Sequence, residues 1–315
     1  MLAFSLSALV AAASLASAAT YKVTDTFIGS SFLTGFVHEA IADPTHGRVN
    51  YVDASTAQRL NLTYASSNSL ILRSDYTTTL SSGGAGRNSV RIRSNKQWKT
   101  HVEIMDVRHM PEGCGTWPAY WNVGDNWPAN GEVDIIEGVN NQSPNAATLH
   151  TTSGCTQPAT RDQTGTTTGT DCNWQVNGNA GCGVKAPTTN SYGPAFNANG
   201  GGWYVMERTT TYIKVWFWPR NSATVPAVVK SGASSIDTST FGTPFASFVN
   251  SSCDIASHFG PENIVINLTF CGDWAGNADV YRGSGCPSTC VDYVNNNPSA
   301  FKNAYWDIAA LRVYQ

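Results

Sequence analysis

The run Glu132–Val133–Asp134–Ile135–Ile136–Glu137 limits what this chain can fold into more than any other segment. It sets three carboxylates in a frame of Val and Ile, residues that favour strand. An unpaired carboxylate in a buried strand is costly, so the three acids need a common polar face. Glu132 and Asp134 share a face in a regular strand, because side chains alternate. Glu137 lies five positions beyond Glu132, and strict alternation turns it to the opposite face. One extra residue in a β-bulge brings it back. The sequence therefore predicts a bulged strand, with Ile135 and Ile136 spanning the bulge and the three acids aligned on one side.

Such a face has a definite chemistry. Five residues of strand span roughly 16 Å, and less when bulged. Two Glu side chains leaning together would leave their carboxyls about 5–6 Å apart, near the roughly 5–5.5 Å of a retaining glycosidase. Asp134 is shorter and is expected to sit between them, hydrogen-bond one Glu and share its proton. That arrangement splits the pKa values into one ionised nucleophile and one protonated acid. The competing explanations are a solvated acidic edge strand and a Ca²⁺ site. A calcium loop would use Gly, Asn and Asp spacing rather than a Val/Ile frame.

Residues 1–18 are apolar and end in Ala16-Ser17-Ala18, the form of a secretory signal peptide with a small-residue cleavage site. The stretch is short for a membrane span, and no later stretch qualifies, so no membrane anchor is expected. Residues 19–315 are expected to form a single secreted, extracellular catalytic β-sandwich domain. Charged residues make up 13% of the chain, about half the usual share, and net charge is −3 without a basic run. Nucleic acid and anionic membranes are poor partners for such a surface. Eight Cys follow the leader: Cys114, Cys155, Cys172, Cys182, Cys253, Cys271, Cys286 and Cys290. In an exported chain this even count predicts four disulfides, with the pairing left open. Cys286 and Cys290 have a zinc-like spacing, but no Cys/His pair completes it. Sequons mark Asn61, Asn250 and Asn267 as glycosylation candidates. A fourth, at Asn141, follows the acids too closely to be expected to carry a glycan.

Helical periodicity is scarce, and short strand-like runs recur between turn signals. They include Ser69–Leu72, Ser89–Ile92, His101–Val107, Ala147–Thr151, Tyr204–Arg208, Tyr212–Trp218, Ile264–Phe270 and Ile308–Tyr314. The last predicts that the terminus docks in a sheet. The Thr/Gly/Asn-rich stretch Ser153–Gly202, with three Cys, reads as a long loop region tied by disulfides. Ser222–Pro244 reads similarly.

Ten Trp residues are many for one chain. Indoles stack on the C–H faces of sugar rings, while carboxylates meet the hydroxyls, so acids and Trp together suit a polysaccharide. Trp also buries core surface efficiently, and Trp216 and Trp218 on one strand face read as core. Trp121, Trp127 and Trp274 sit among Gly, Asn and Asp and read as a loop lip with a binding role. His150 follows the acid strand after a turn-like segment, and a hairpin would set it beside the acids. No zinc-protease spacing, nucleophile elbow, P-loop or dinucleotide fingerprint is present.

These segments together resemble glycoside hydrolase family 16, in particular its fungal laminarinase-like endo-β-1,3(4)-glucanases. EVDIIE fits the family's E-x-D-x-x-E form. SVRIRSNKQWKTHVEIMDVRHMPEGCGTWPAYW, INLTFCGDWAGN and YWDIAALRVYQ also look like family segments. The resemblance implies an all-β fold, a β-jelly-roll sandwich of two curved antiparallel sheets with a concave substrate cleft. It implies Glu132 as nucleophile, Glu137 as general acid/base and Asp134 as the assisting carboxylate. Trp121, Trp127, His150 and Trp274 match cleft residues, and Arg91, Asn50 and Tyr51 match sugar contacts. The implied activity is retaining endo-hydrolysis of β-1,3 or mixed β-1,3/1,4 glucans by a monomer, with no metal or organic cofactor. The rival readings are a glucan transglycosylase and a non-catalytic β-glucan-binding protein.

Overall fold

The computed structural model describes residues 20–315; the leader reading for residues 1–18 lies outside the described residues. The β-rich runs assemble into two antiparallel sheets packed as a jelly-roll sandwich. One sheet has eight strands, in the order Thr166–Thr167, Cys182–Lys185, Ala146–His150, Glu132–Glu137, Thr116–Gly124, Glu262–Phe270, Arg91–Ser94 and Phe36–His38. The nine-stranded sheet is built around Thr20–Phe27, Tyr305–Tyr314, His101–His109, Gly202–Arg208 and Tyr212–Pro219. Tyr305–Tyr314 pairs with Thr20–Phe27 on one side and His101–His109 on the other, so the final run docks inside a sheet as expected.

Alternation sorts each strand into a core face and a cleft face. In Glu262–Phe270, Ile264 and Ile266 enter the core, while Asn267 reaches Trp121 on the other side. The core between the sheets takes Tyr120, Val133, Ile136 and Leu149 from the eight-stranded sheet. Met105, Val107, Tyr204, Met206, Val215 and Leu311 meet them from the other. Burying each such apolar side chain contributes roughly 1.5–3 kcal/mol. A second cluster contains Val102, Ile104, Val205, Trp216 and Trp218, positions that alternate with the first set. Trp216 and Trp218 are therefore core residues, as their shared face predicts.

Two regions read as loops are more ordered than that. Ser222–Pro244 contains the helix Ala227–Ser231 and the strand Ser235–Asp237, and its Val225, Val229, Ile236 and Phe241 complete the second cluster. Within Ser153–Gly202, Cys182–Lys185 pairs with Ala146–His150 and extends the eight-stranded sheet. Gly193–Ala198 is helical, with Pro at its start and Phe196 fully buried. A four-residue strand holds too few positions to display alternation against a Thr/Gly/Asn background. The run Ser89–Ile92 also divides. Arg87–Ser89 pairs in parallel with Val49–Tyr51, and Arg91–Ser94 joins the eight-stranded sheet.

All eight Cys form disulfides: Cys114–Cys286, Cys155–Cys253, Cys172–Cys182 and Cys271–Cys290. Cys155–Cys253 joins positions 98 apart, tying the Ser153–Gly202 region to a distant loop. By chain entropy such a link stabilises by on the order of 4–5 kcal/mol. Among the described residues no helix is long and apolar enough to cross a membrane.

Candidate active site

The bulge sits where alternation demands it. Against Thr116–Gly124, Asp134 pairs with Trp121 and Ile136 with Tyr120, which leaves Ile135 without a partner. Against Ala146–His150, Asp134 pairs with Thr148 and Glu137 with Ala146. Ile135 and Ile136 are both fully buried, and Glu137 returns to the face of Glu132 and Asp134. A bulge pulls backbone groups off the ladder, and buried ones must find partners. Asn145 supplies them. Its Nδ2 donates to the Ile135 carbonyl at 2.8 Å, and its Oδ1 accepts from the Glu137 N–H at 3.0 Å. Its own N–H donates to Ser191 Oγ at 2.9 Å, so the buried Asn145 is held from a third side.

The hairpin sets His150 opposite Glu132, as the turn-like segment predicts. Its Nε2 lies 3.4 Å from Asp134 Oδ2, and its Nδ1 lies 2.9 Å from Asn179 Oδ1. Asp134, expected to hydrogen-bond one Glu, instead faces this imidazole, and among the described residues it makes no hydrogen bond to either Glu. The reason is register: Thr148 is its cross-strand partner, and His150 is the next residue on that face. Glu137 Oε1 accepts from Trp117 Nε1–H at 2.9 Å.

Burial dominates the electrostatics of this cluster. It pushes Glu137 up to about 6, against the opposing pull of His150 and the Trp117 donor, with Glu132 adding to the rise. Burial, then Glu137 and Glu132, hold Asp134 well above the usual carboxylate range. Burial alone would lower His150, but Asp134, Glu132 and Glu137 outweigh it and raise the imidazole to about 10. A cationic His150 and a protonated Glu137 in slightly acidic solution leave the cluster able to donate one proton.

Aromatic residues flank the acids. Trp117 and Trp274 meet edge to face with centroids 5.6 Å apart, at the Glu137 end of the strand. Trp127 and Trp174 meet at 5.2 Å beyond the Glu132 end, and both are exposed, at 40% and 37%. Trp121, read as part of a loop lip, stands on a central strand, because the β-rich TWPAYW run pairs on both sides. Its Nε1–H donates to Asn267 Oδ1 at 2.8 Å, and the Arg91 guanidinium lies 4.9 Å from its ring. Arg91 is also bound to Glu39 through Nε at 2.6 Å. Trp127 is on a loop, and Trp274 is on the short helix Gly272–Ala275.

Tyr51 is buried, its hydroxyl accepting from Asn267 Nδ2 at 3.1 Å; Asn50 is exposed and donates to Asn88 Oδ1 at 2.7 Å. Asn267 corrects the glycosylation reading. It is 6% exposed, and both ends of its amide are engaged in the sheet, which leaves no room for a glycan. Asn61 and Asn250 are exposed. Sequence reasoning did not assign Trp117, Asn145, Asn267, Trp174 or Asn179 to the site. Strand pairing was the signal for Trp117, since Ala119 opposite Glu137 puts Trp117 on the acid face. Nothing local marks the Asn residues.

The sequence profile of the XgeA-like catalytic GH16 domain matches residues 36–314. A "Probable endo-1,3(4)-beta-glucanase" of Aspergillus fumigatus is 45% identical over 306 residues, covering 94% of this chain and 46% of that protein. The chain spans about half the length of the first curated relatives it matches. Laminarinase 16A from Phanerochaete chrysosporium, solved with 6-O-glucosyl-laminaritriose in both donor and acceptor sites, is 65% identical with a TM-score of 0.94. That match covers 94% of this chain and all (100%) of the laminarinase chain. An elongating GH family 16 β-1,3-glucosyltransferase is 43% identical with a TM-score of 0.87, over 94% of this chain and 100% of its own. A bulged strand with acids on one face, a flanking His and Trp, and matches of this extent lead to one conclusion: the chain belongs to glycoside hydrolase family 16, among its XgeA-like catalytic domains.

Proposed function

We propose that the chain is a secreted, monomeric, retaining endo-glycosidase that hydrolyses β-1,3 and mixed β-1,3/1,4 glucans. The observation that carries this is Glu137. The bulge returns it to the face of Glu132, and its half-buried carboxyl is pushed up to about 6 in reach of the Trp117 donor. A carboxyl that keeps its proton in weak acid is suited to protonate a leaving oxygen.

In the first step Glu137 donates its proton to the glycosidic oxygen while a Glu132 oxygen attacks the anomeric carbon. The bond to the leaving sugar breaks and an ester to Glu132 forms. In the second step the ionised Glu137 takes a proton from water, whose oxygen bonds to the anomeric carbon. The ester breaks, Glu132 leaves as carboxylate, and two inversions give retention. Asp134, held against His150, assists by keeping charge and orientation beside Glu132. Trp121, Trp127 and Trp274 stack sugar rings, His150 bears on the substrate through Asp134, Arg91 offers a polar contact, and Asn50 offers an exposed amide. Tyr51 acts through Asn267. Glycans are proposed at Asn61 and Asn250.

A second reading is favoured by the 43% identical glucosyltransferase: capture of the glycosyl ester by a sugar instead of water. Product profiles on laminarin, lichenan, curdlan, galactan and xyloglucan test both. New reducing ends on the first three support hydrolysis, and dominant chain lengthening supports transfer. Galactan cleavage without glucan cleavage would refute the substrate class. Glu132→Ala should abolish turnover and retain glucan binding; unchanged turnover sinks the assignment of the acids.

A further inference from the structure

The disulfide Cys172–Cys182 closes a loop, CNWQVNGNAGC, that contains no charged side chain. Its turn runs through left-handed backbone at Asn177, Gly178, Asn179 and Gly181, with φ of 52°, 64°, 60° and 63°. The loop is anchored beside the site: Thr151 N–H donates to the Cys172 carbonyl at 2.8 Å, and Trp174 N–H donates to the Thr151 carbonyl at 3.0 Å. It then touches the ring of His150 twice. Asn179 Oδ1 lies 2.9 Å from Nδ1. The Gly181 backbone lies against Cε1 so closely that a Cβ there would stand 2.9 Å from it and 2.6 Å from the Leu149 carbonyl oxygen.

We propose that Asn179 is a positioning residue for the catalytic centre: the disulfide-closed loop holds His150 by Nδ1 and so fixes the ring rotation that turns Nε2 toward Asp134. The inference rests on the reading of the acids given above. An amide oxygen only accepts, so Nδ1 carries hydrogen. Nε2 then faces Asp134 Oδ2 as an ion-pair contact, 3.4 Å away. The charged groups facing the ring are Asp134, Glu132 and Glu137, all from the acid strand. The loop adds none, so Asn179 sets the ring's rotation without competing for its charge. Without that acceptor, the imidazolium loses its Nδ1 hydrogen bond, and the rotation that turns Nε2 toward Asp134 is no longer fixed.

The test uses Asn179→Ala and Asn179→Asp in the full chain. Asn179 is exposed, and both variants leave the disulfide intact. Ring ¹⁵N shifts of His150 report its protonation independently of turnover. In the wild type both ring nitrogens stay protonated through the acidic and neutral range. Asn179→Ala removes an acceptor that favours the imidazolium, so the ring should lose its proton at lower pH, with a kcat lower by about tenfold, a smaller change in KM and a displaced pH profile. Asn179→Asp keeps an acceptor and should return the ring titration to the wild-type pH or above. An alanine variant with unchanged ring titration, kcat and pH profile overturns the proposal, as does failure of the aspartate variant to restore the ring titration. Glu132→Ala, assayed alongside, separates the two layers. If it is inactive while Asn179→Ala matches wild type, only this inference fails; if it stays active, the reading of the acids fails.

Discussion

Trp117 donates its indole N–H to Glu137 at 2.9 Å, from the strand next to the acid. The bond favours the ionised carboxylate and opposes the rise that burial imposes. Burial and Glu132 raise the Glu137 carboxyl, His150 and the Trp117 donor lower it, and the net position is about 6.

A general acid must hold its proton, so kcat/KM is full below the pKa and falls as pH rises through it. The free protein should lose activity above pH about 6, tenfold per unit. A pH–rate profile flat across that region would exclude Glu137 as the acid.

Trp117→Phe removes the donor and keeps the ring. The carboxyl then rises further, and the alkaline limb should move up by about half to one unit. Loss of a hydrogen bond that orients the acid should also lower kcat by about tenfold. A limb that moves down instead would show that the indole does not stabilise the carboxylate.

Asn145→Ala strips both partners from the bulge, leaving the Ile135 carbonyl and Glu137 N–H buried without bonds. Each orphaned group costs about 1–3 kcal/mol, so unfolding free energy should drop by about 2–6 kcal/mol. Denaturant unfolding measures this. Asn145→Asp still accepts from Glu137 N–H but cannot donate to Ile135, and should fall between the two.

Trp174→Ala should weaken turnover of long glucans several-fold, consistent with about 1 kcal/mol for an aromatic contact, and leave the shortest cleavable oligosaccharide unaffected. The comparison of kcat/KM across chain length decides it. Equal loss at every length would mean that Trp174 supports Trp127 rather than sugar.

Peptide mapping after expression in a glycosylating host should find Asn267 unmodified and Asn61 or Asn250 occupied. A glycan on Asn267 would require the Trp121 and Tyr51 bonds to be absent.

The bulge was legible because a strand's alternation is a property of covalent geometry. EVDIIE states which residues share a face, and only one insertion reconciles Glu137 with the others. The core role of Trp216 and Trp218 was legible for the same reason. The sequon at Asn267 misled because N-x-T is read without depth, and only the packing of Trp121 and Tyr51 shows the amide to be engaged. The partner of Asp134 was misread because adjacency along a strand suggests Glu, whereas cross-strand register presents His150.

By itself the sequence determined the all-β class, the acid-bearing face and the likeness to a family, all carried by local periodicity and ordered motifs. Tertiary structure decided the disulfide pairing, the Asn145 clamp on the bulge and the reach of Asn179 to His150. Those contacts join residues far apart in the chain through neutral amides and cysteines. Their identity carries no period, and their partners exist only once the sheets have closed.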